Sequence, residues 1–473
     1  MERGQGDTAR GAAVDYGKTA GFLSIGVGLT GLITYAYFFI ASHELSKADY
    51  GEIAVLWSAV FITVSTLYRP IDQLLSRHVS EHIARGEPIS APMGVAARIQ
   101  LVLAFGFAVV ALALKGPIED GLLDGNTTLY WIGFTAVLGY AASYYARGYL
   151  AGRRNFALFS VLILTESIFR TSFALFVAVG ILSGQTAVAI GIMAAPLLSL
   201  AVVPLAFRRH DAAAAPAAAA EEAQPQAEEG EPKGEGSAPA FSLSHGTGFA
   251  AAVLMIMLAE QTFLNAGPLL IGASEGAAAA GFIFNVLMIA RAPLQLFQAV
   301  GTSLLPHLTA LHHTEGEESR QAFHHSVRLV LAGVAVFTAA VALVLAVAGP
   351  ALMQIAWSDK FTYPREDLLI VTAGMGLYLA SVSINAAVLA QGQVRRSSIR
   401  WIACAVAFVL WNLVPIVEDE FLRTEVGFTA AAALLCFLLH RLYVNPVEEP
   451  GDVPRQGSTQ ELETRLAAAD ELS

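Results

Sequence analysis

Runs of about twenty predominantly apolar residues recur along the chain, each long enough to cross a hydrocarbon core of about 30 Å as a helix. They fall at 17–41, 50–68, 93–115, 127–150, 156–180 and 185–207. After a polar break they resume at 247–272, 277–304, 325–348, 367–390, 398–416 and 424–444. The pattern implies an all-α polytopic membrane protein with twelve transmembrane helices in two six-helix lobes. Composition agrees, because 55% of the 473 residues are apolar and only 14% are charged, against about 25% charged in soluble domains. The two cysteines, Cys404 and Cys436, are too few for a disulfide scaffold, and both lie inside spans as small packing residues. The first run is too long for a signal-peptide core and reads as span one.

The net charge of −11 is unevenly spread. Segment 211–245 holds seven acids against Lys233, and segment 445–473 holds seven acids against Arg455 and Arg465. The charges of the remainder cancel, so the acidity belongs to two appendages of a neutral membrane body. The expected organisation is an N-terminal segment 1–16, a lobe at 17–210, a linker at 211–245, a second lobe at 246–444 and an acidic tail at 445–473. The Ala-, Pro- and Glu-rich linker cannot bury enough apolar surface to offset its ordering entropy, and it reads as a disordered tether. Loops after even-numbered spans carry Arg77, Arg85, Arg147, Arg153, Arg154, Arg208, Arg209, Arg320, Arg328, Arg395, Arg396 and Arg400. Loops on the other side carry Lys47, Lys115, Lys360, Arg365 and Arg423 among acids that include Glu119, Asp120, Asp124, Glu366, Asp367 and Glu418 to Glu420. The positive-inside rule then places both termini and the linker in the cytoplasm.

Six helices return the chain to its starting side, so an internal repeat is of the parallel kind, related by a pseudo-twofold axis. An offset of 230 residues lays 50–87 on 280–317 and aligns Gly51 with Gly281, Ile53 with Ile283, Leu74-Leu75 with Leu304-Leu305, His82 with His312 and Gly86-Glu87 with Gly316-Glu317.

Charged groups inside spans are expensive in lipid and mark candidate sites. Span two places Ser58, Ser65, Arg69, Asp72 and Ser76 on one helical face, and span eight does the same with Arg291, Gln295, Gln298 and Thr302. Span seven offers Glu260, Gln261 and Asn265 just before Pro268, and span one aligns Thr30, Thr34 and Tyr37. Span five has Glu166 and Arg170 at i, i+4, the favourable order for a helical ion pair. Two readings stay open: polar faces that pack helix on helix, or the walls of a cavity. Arg69 and Arg291 on such walls attract an anion, while Glu260 neutralises an arginine or carries a proton. Prolines 268, 293 and 306 are expected to break their helices. Histidines 312, 313, 324 and 325 read as solvated loop residues rather than metal ligands. No phosphate-binding G-x-x-x-x-G-K-[ST] loop, H-E-x-x-H or G-x-S-x-G occurs. An enzyme, a cofactor and a nucleic-acid partner are therefore not expected.

HELSKADYGEIAVLWSAVFITVSTLYRPIDQLLSRHVSEHIARGE (43–87) and AAGFIFNVLMIARAPLQLFQAVGTSLLPHLTAL (279–311) resemble segments of the multidrug/oligosaccharidyl-lipid/polysaccharide (MOP) exporter superfamily, on its polysaccharide flippase branch. The resemblance implies two lobes facing each other in a V, as in MATE transporters, around a central cavity lined by spans one, two, seven and eight. It implies movement of a polyprenyl-diphosphate-linked oligosaccharide from the inner to the outer leaflet of the bacterial plasma membrane. H+ or Na+ is implied as a coupling ion, and glycosyltransferases or a glycan polymerase as partners. Arg69, Arg291, Gln295, Gln298, Glu260, Asn265 and Thr34 are the cavity candidates, with Glu260 also the candidate for ion coupling. Unlike the pattern, span one has no basic residue beyond Lys18 at its edge. The alternatives are a MATE-type multidrug or cation antiporter of the same superfamily and a membrane-embedded glycosyltransferase or ligase.

Overall fold

Ser46, Asn126, Asn155 and Asp419 each start a helix by accepting backbone N–H groups of the first turn on a side-chain oxygen, the groups a helix start otherwise leaves unpaired. The computed structural model describes residues 26, 28–204, 243–289, 291, 317–358, 360–361 and 363–445. Gln295, Gln298, Thr302, Pro293, Pro306, His312, His313, segment 1–16 and most of the linker and tail lie outside the described residues.

In chain order the helices are α1 (28–44), α2 (Lys47–Leu67), α3 (Arg69–Ala84), α4 (Ser90–Ala113), α5 (Lys115–Leu122), α6 (Thr127–Gly152), α7 (Phe156–Ala178) and α8 (Gly184–Ser199). They continue with α9 (Leu243–Glu275), α10 (Ala277–Ile289), α11 (Glu317–Trp357), α12 (Arg365–Ala390), α13 (Val394–Leu413) and α14 (Glu420–Val444). No strand occurs among the described residues, and eight helical stretches, α2 and α3 taken as one, are apolar and long enough to cross a membrane. Each predicted span contains a described helix, span eight only over 277–289 and span one only from residue 28, and α5 is a short extra helix between α4 and α6.

Three helices depart from expectation. Span two is interrupted at Tyr68, because Pro70 brings no N–H to the helical ladder; the polar stripe from Ser58 to Ser76 is thereby split between α2 and α3. Pro268, by contrast, lies inside α9 without ending it. A helix in a bundle survives a proline when its neighbours hold the backbone in place. Span nine grows into α11, 41 residues long, because the polar flank at 317–324 and the stretch 349–357 are helical as well. At 1.5 Å per residue this helix is about 60 Å long and outreaches the bilayer.

The two lobes pair their helices alike: α4 with α6 and α11 with α12, α6 with α8 and α12 with α14, α7 with α8 and α13 with α14. In each lobe the third span is the outermost, and its apolar side chains stay exposed, as at Phe105 and Val347. These are the surfaces that lipid would cover.

The lobes meet where α2 packs on α9 and α10. A Cβ on Gly51 would lie 1.7 Å from the Ala277 carbonyl oxygen, and one on Gly281 would lie 3.0 Å from Gly51 Cα. Only glycine permits this approach, and the two glycines are the pair that the 230-residue offset aligns. Nearby, Tyr50 donates to Asn285 Oδ1, and the rings of Phe38 and Phe284 lie 4.6 Å apart. Lys360 Nζ donates to the carbonyls of Ser42, His43 and Leu45 at 3.5, 3.1 and 2.8 Å, satisfying the C-terminal end of α1 from the opposite lobe. Inter-lobe hydrogen bonds among the described residues involve only residues 35–50 of the first lobe. The lobes are thus joined toward the end that carries the acidic loops.

Candidate functional site

Arg69 opens α3 at the break that follows Tyr68. Glu260 lies fifteen residues, roughly 22 Å, before the end of α9 at Glu275. These two residues belong to opposite lobes and lie within reach of each other's charge. Tyr378 of α12 is in reach of Glu260, Arg291 and Arg69 together. Arg291 also faces Tyr35 of α1, and the Tyr35 hydroxyl donates to the Met288 carbonyl across the lobe boundary. The Arg291 Nε atom is buried and has no hydrogen-bond partner among the described residues. Three of the sequence candidates, Arg69, Glu260 and Arg291, therefore converge on one inter-lobe region with Tyr35 and Tyr378.

The two other described candidates, Asn265 and Thr34, are engaged elsewhere. Asn265 is buried and folds back on α9, where Nδ2 donates to the Gln261 carbonyl at 3.2 Å and to Gln261 Oε1 at 3.0 Å. Thr34 donates to the Thr30 carbonyl at 2.8 Å and accepts from Arg170 Nη2 at 3.1 Å. That bond ties α1 to a second charged cluster inside the first lobe.

Glu166 is the centre of this second cluster. Arg147 Nη2 donates to Glu166 Oε2 at 2.5 Å, while Arg170 Nη1 stands 3.9 Å from Oε1. Tyr140 and Ser143 donate to the same carboxylate at 3.0 and 3.2 Å. Arg170 further donates to Ser167 Oγ at 3.1 Å and lies over the Trp57 ring at 4.6 Å, and Arg147 lies over Tyr144 at 4.5 Å. Glu166 is 4% exposed and Arg170 2%. The carboxylate has four partners, so the expected intrahelical pair with Arg170 is the looser contact and Arg147 is the tighter one. Sequence reasoning placed Arg147 in a basic loop, but it belongs to α6. The signal that points to it is the spacing Tyr140, Ser143, Arg147, which puts three partners of Glu166 on one face of α6.

His324 is likewise not a solvated loop residue; it lies in α11 and its Nδ1 is 2.5 Å from the Tyr443 hydroxyl. Cys404 and Cys436 are free thiols. Among the described residues no group of three or more His, Cys, Asp or Glu side chains is arranged to hold a metal ion. What the inter-lobe region offers is two guanidiniums from different helices in reach of Tyr378, with the Glu260 and Asp72 carboxylates within reach of Arg69. Guanidinium groups present planar paired donors that match carboxylate or phosphate oxygens.

No family model matches the chain, and no curated protein matches it. Solved structures do. The chain is similar to a multidrug resistance MATE family transporter of the MOP superfamily in its inward-facing conformation, with TM-score 0.61, 11% identity and coverage of 90% of this chain and 99% of that one. It is similar to the eukaryotic MATE transporter AtDTX14, with TM-score 0.60, 12% identity and coverage of 92% and 96%. It is also similar to the MATE transporter ClbM in complex with Rb+, with TM-score 0.56, 15% identity and coverage of 92% and 95%. The fold is accordingly that of MATE transporters, with two six-helix lobes related by a pseudo-twofold axis.

Proposed function

We propose that the chain is an alternating-access membrane transporter whose cargo is an amphiphile with an anionic, phosphate-bearing head, of the lipid-linked oligosaccharide kind. The observation that carries this reading is the convergence of Arg69 and Arg291, one from each lobe, on Tyr378, with Glu260 within reach of Arg69. Each offers paired donors to a diphosphate, and a head held by both lobes passes between them when the lobes rock. An amphiphile keeps its lipid tail in the bilayer while its head crosses, which two lobes separable at one end permit. The arginine-rich ends face the cytoplasm in this reading, so the junction at Gly51, Gly281 and Lys360 closes the outer side and the cleft opens inward. The linker around 211–245 then tethers the lobes on the cytoplasmic side, and Glu260 takes up H+ or Na+ as the coupling ion. Glycosyltransferases or a glycan polymerase supply or consume the cargo.

A cation antiporter is the second reading, and Glu260 in the same region favours it. Arg291→Ala separates the two. In a flippase this change abolishes export of the cognate glycan at unchanged protein level. Normal glycan export by that variant would overturn the assignment, and transport of an organic cation that survives Arg291→Ala would favour the antiporter.

A further inference from the structure

Glu425, on α14, is a buried carboxylate that the inter-lobe region does not use. It is 2% exposed, and neither of its oxygens has a hydrogen-bond partner among the described residues. Its polar neighbours are engaged elsewhere. Thr424 donates to Asn412 Oδ1 at 2.6 Å, and Asn412 Nδ2 donates to the Phe408 carbonyl at 2.8 Å. Arg423 turns to Glu420 at 2.8 Å and to the Val417 carbonyl at 3.2 Å. Asp367 of α12, Asp419 at the start of α14 and the Tyr363 phenol lie within reach of the Glu425 charge, while α10 and α13 present Leu287 and Phe408 to it. Acids of the same sign cannot replace the water that the carboxylate has lost. A carboxylate buried in this way is held only with a cation or a proton.

Room decides between the two. The void beside Glu425 measures about 10 Å3 and is walled by Leu287, Val371, Phe408 and Phe428. A metal cation needs several oxygen ligands, and even one water needs two to four polar partners. Apolar walls supply neither, and a proton needs no space. Depth separates this group from Glu260. Ser274, at the end of α9, donates to Glu420 at the start of α14, so the two helix ends are level. Glu425 lies five residues, roughly 8 Å, inside that level, against roughly 22 Å for Glu260. We propose that Glu425 is a proton-binding site of the second lobe, loaded from the outer side past Asp367 and Asp419. H3O+ from that side gives its proton to a Glu425 oxygen and leaves as water, so the step needs no co-reactant. The sidedness rests on the transporter reading, in which the arginine-rich ends are cytoplasmic. α10, which covers Glu425 through Leu287, also carries Gly281 and Asn285 at the lobe junction. Movement at that junction therefore changes the cover over the proton site.

The test is infrared spectroscopy of the full chain purified in detergent, which reads the carbonyl stretch of a buried, protonated carboxyl. At neutral pH the wild type shows such a band, and the band shifts on transfer to D2O because its proton exchanges. Glu425→Gln, which keeps the shape of the neutral acid, loses the band, whereas Glu260→Gln retains it. Glu425→Asp keeps a displaced band and holds the test open if the glutamine variant fails to fold. Asp367→Asn with Asp419→Asn slows the exchange, the asparagine at 419 still serving as a helix cap. A band that survives Glu425→Gln overturns the proposal, as does one that never exchanges, which would mark a purely structural acid. Loss of the band on titration with NaCl would reveal a metal-ion site and overturn it too, and exchange at an unchanged rate in the double variant would remove the outer route. No cargo enters these measurements. Normal glycan export by Arg291→Ala would therefore leave this site standing, and a missing band would leave the cargo assignment untouched.

Discussion

The two lobes pair their helices alike yet fill corresponding interiors with opposite chemistry. In the first lobe the fifth span, α7, points Glu166 and Arg170 inward to meet Arg147, Tyr140, Ser143 and Thr34. In the second lobe the fifth span, α13, contributes Trp401 and Phe408 to a box of rings with Phe263, Tyr378 and Phe428. Phe263 and Phe408 stack at 5.9 Å with planes 3° apart, and Trp401 meets Phe263 and Tyr378 edge-on. At its edge Asn385 Oδ1 accepts from Trp401 Nε1 at 3.1 Å and from Ser397, while the carboxylate of Glu425, buried beside Phe408 and Phe428, has no hydrogen-bond partner among the described residues. The backbone plan therefore does not dictate what lies inside it. A charged interior depends on every partner being present, because each ion has lost its water. A ring box depends mainly on volume.

That contrast is open to direct test. The largest effect is expected at Glu166→Leu, which leaves Arg147 and Arg170 buried without their anion. Loss of one partner of a buried pair costs about 3–5 kcal/mol, read as a lowered unfolding temperature in detergent. Adding Arg147→Met recovers part of that loss, and an unchanged or deeper loss would contradict the picture of a mutually dependent network. Phe263→Ala comes next at about 3 kcal/mol, whereas Phe263→Leu costs less than about 1.5 kcal/mol. Should Phe263→Leu prove as damaging as Glu166→Leu, the distinction between the lobes collapses. Smallest is Thr34→Val, which removes the bond from Arg170 to α1 at about 1 kcal/mol. A transport defect beyond what that destabilisation explains would move Thr34 from bracing the network to contacting the cargo.

The spans were legible because bilayer thickness imposes a length on every apolar run, and a periodic signal of that size survives any detail of packing. Arg69, Arg291 and Glu260 were legible for a related reason, since a charge in an apolar run stands out by its cost. Which helix faces which was not legible. Glu166 and Arg170 share a helix, so their pairing could be read, but the tighter partner Arg147 comes from the neighbouring span and looked like a loop residue beside Arg153 and Arg154. The fate of the prolines was equally hidden. Pro70 interrupts its helix while Pro268 does not, and the difference lies in neighbouring helices rather than in local sequence. Aromatic residues such as Phe263, Trp401 and Phe408 carried no signal, because rings scattered through apolar spans become a box only when four helices bring them together.

The contact of Gly51 with Gly281 has one more consequence. Residues that correspond under a twofold operation touch each other only if they lie on its axis. Such self-facing contact is the mark of an isologous interface, where the same patch of two subunits meets itself. Here both patches belong to one polypeptide, so the joint between lobes has the geometry of a dimer interface. A chain severed between the lobes would hold its halves together there, as two subunits do, glycine against glycine.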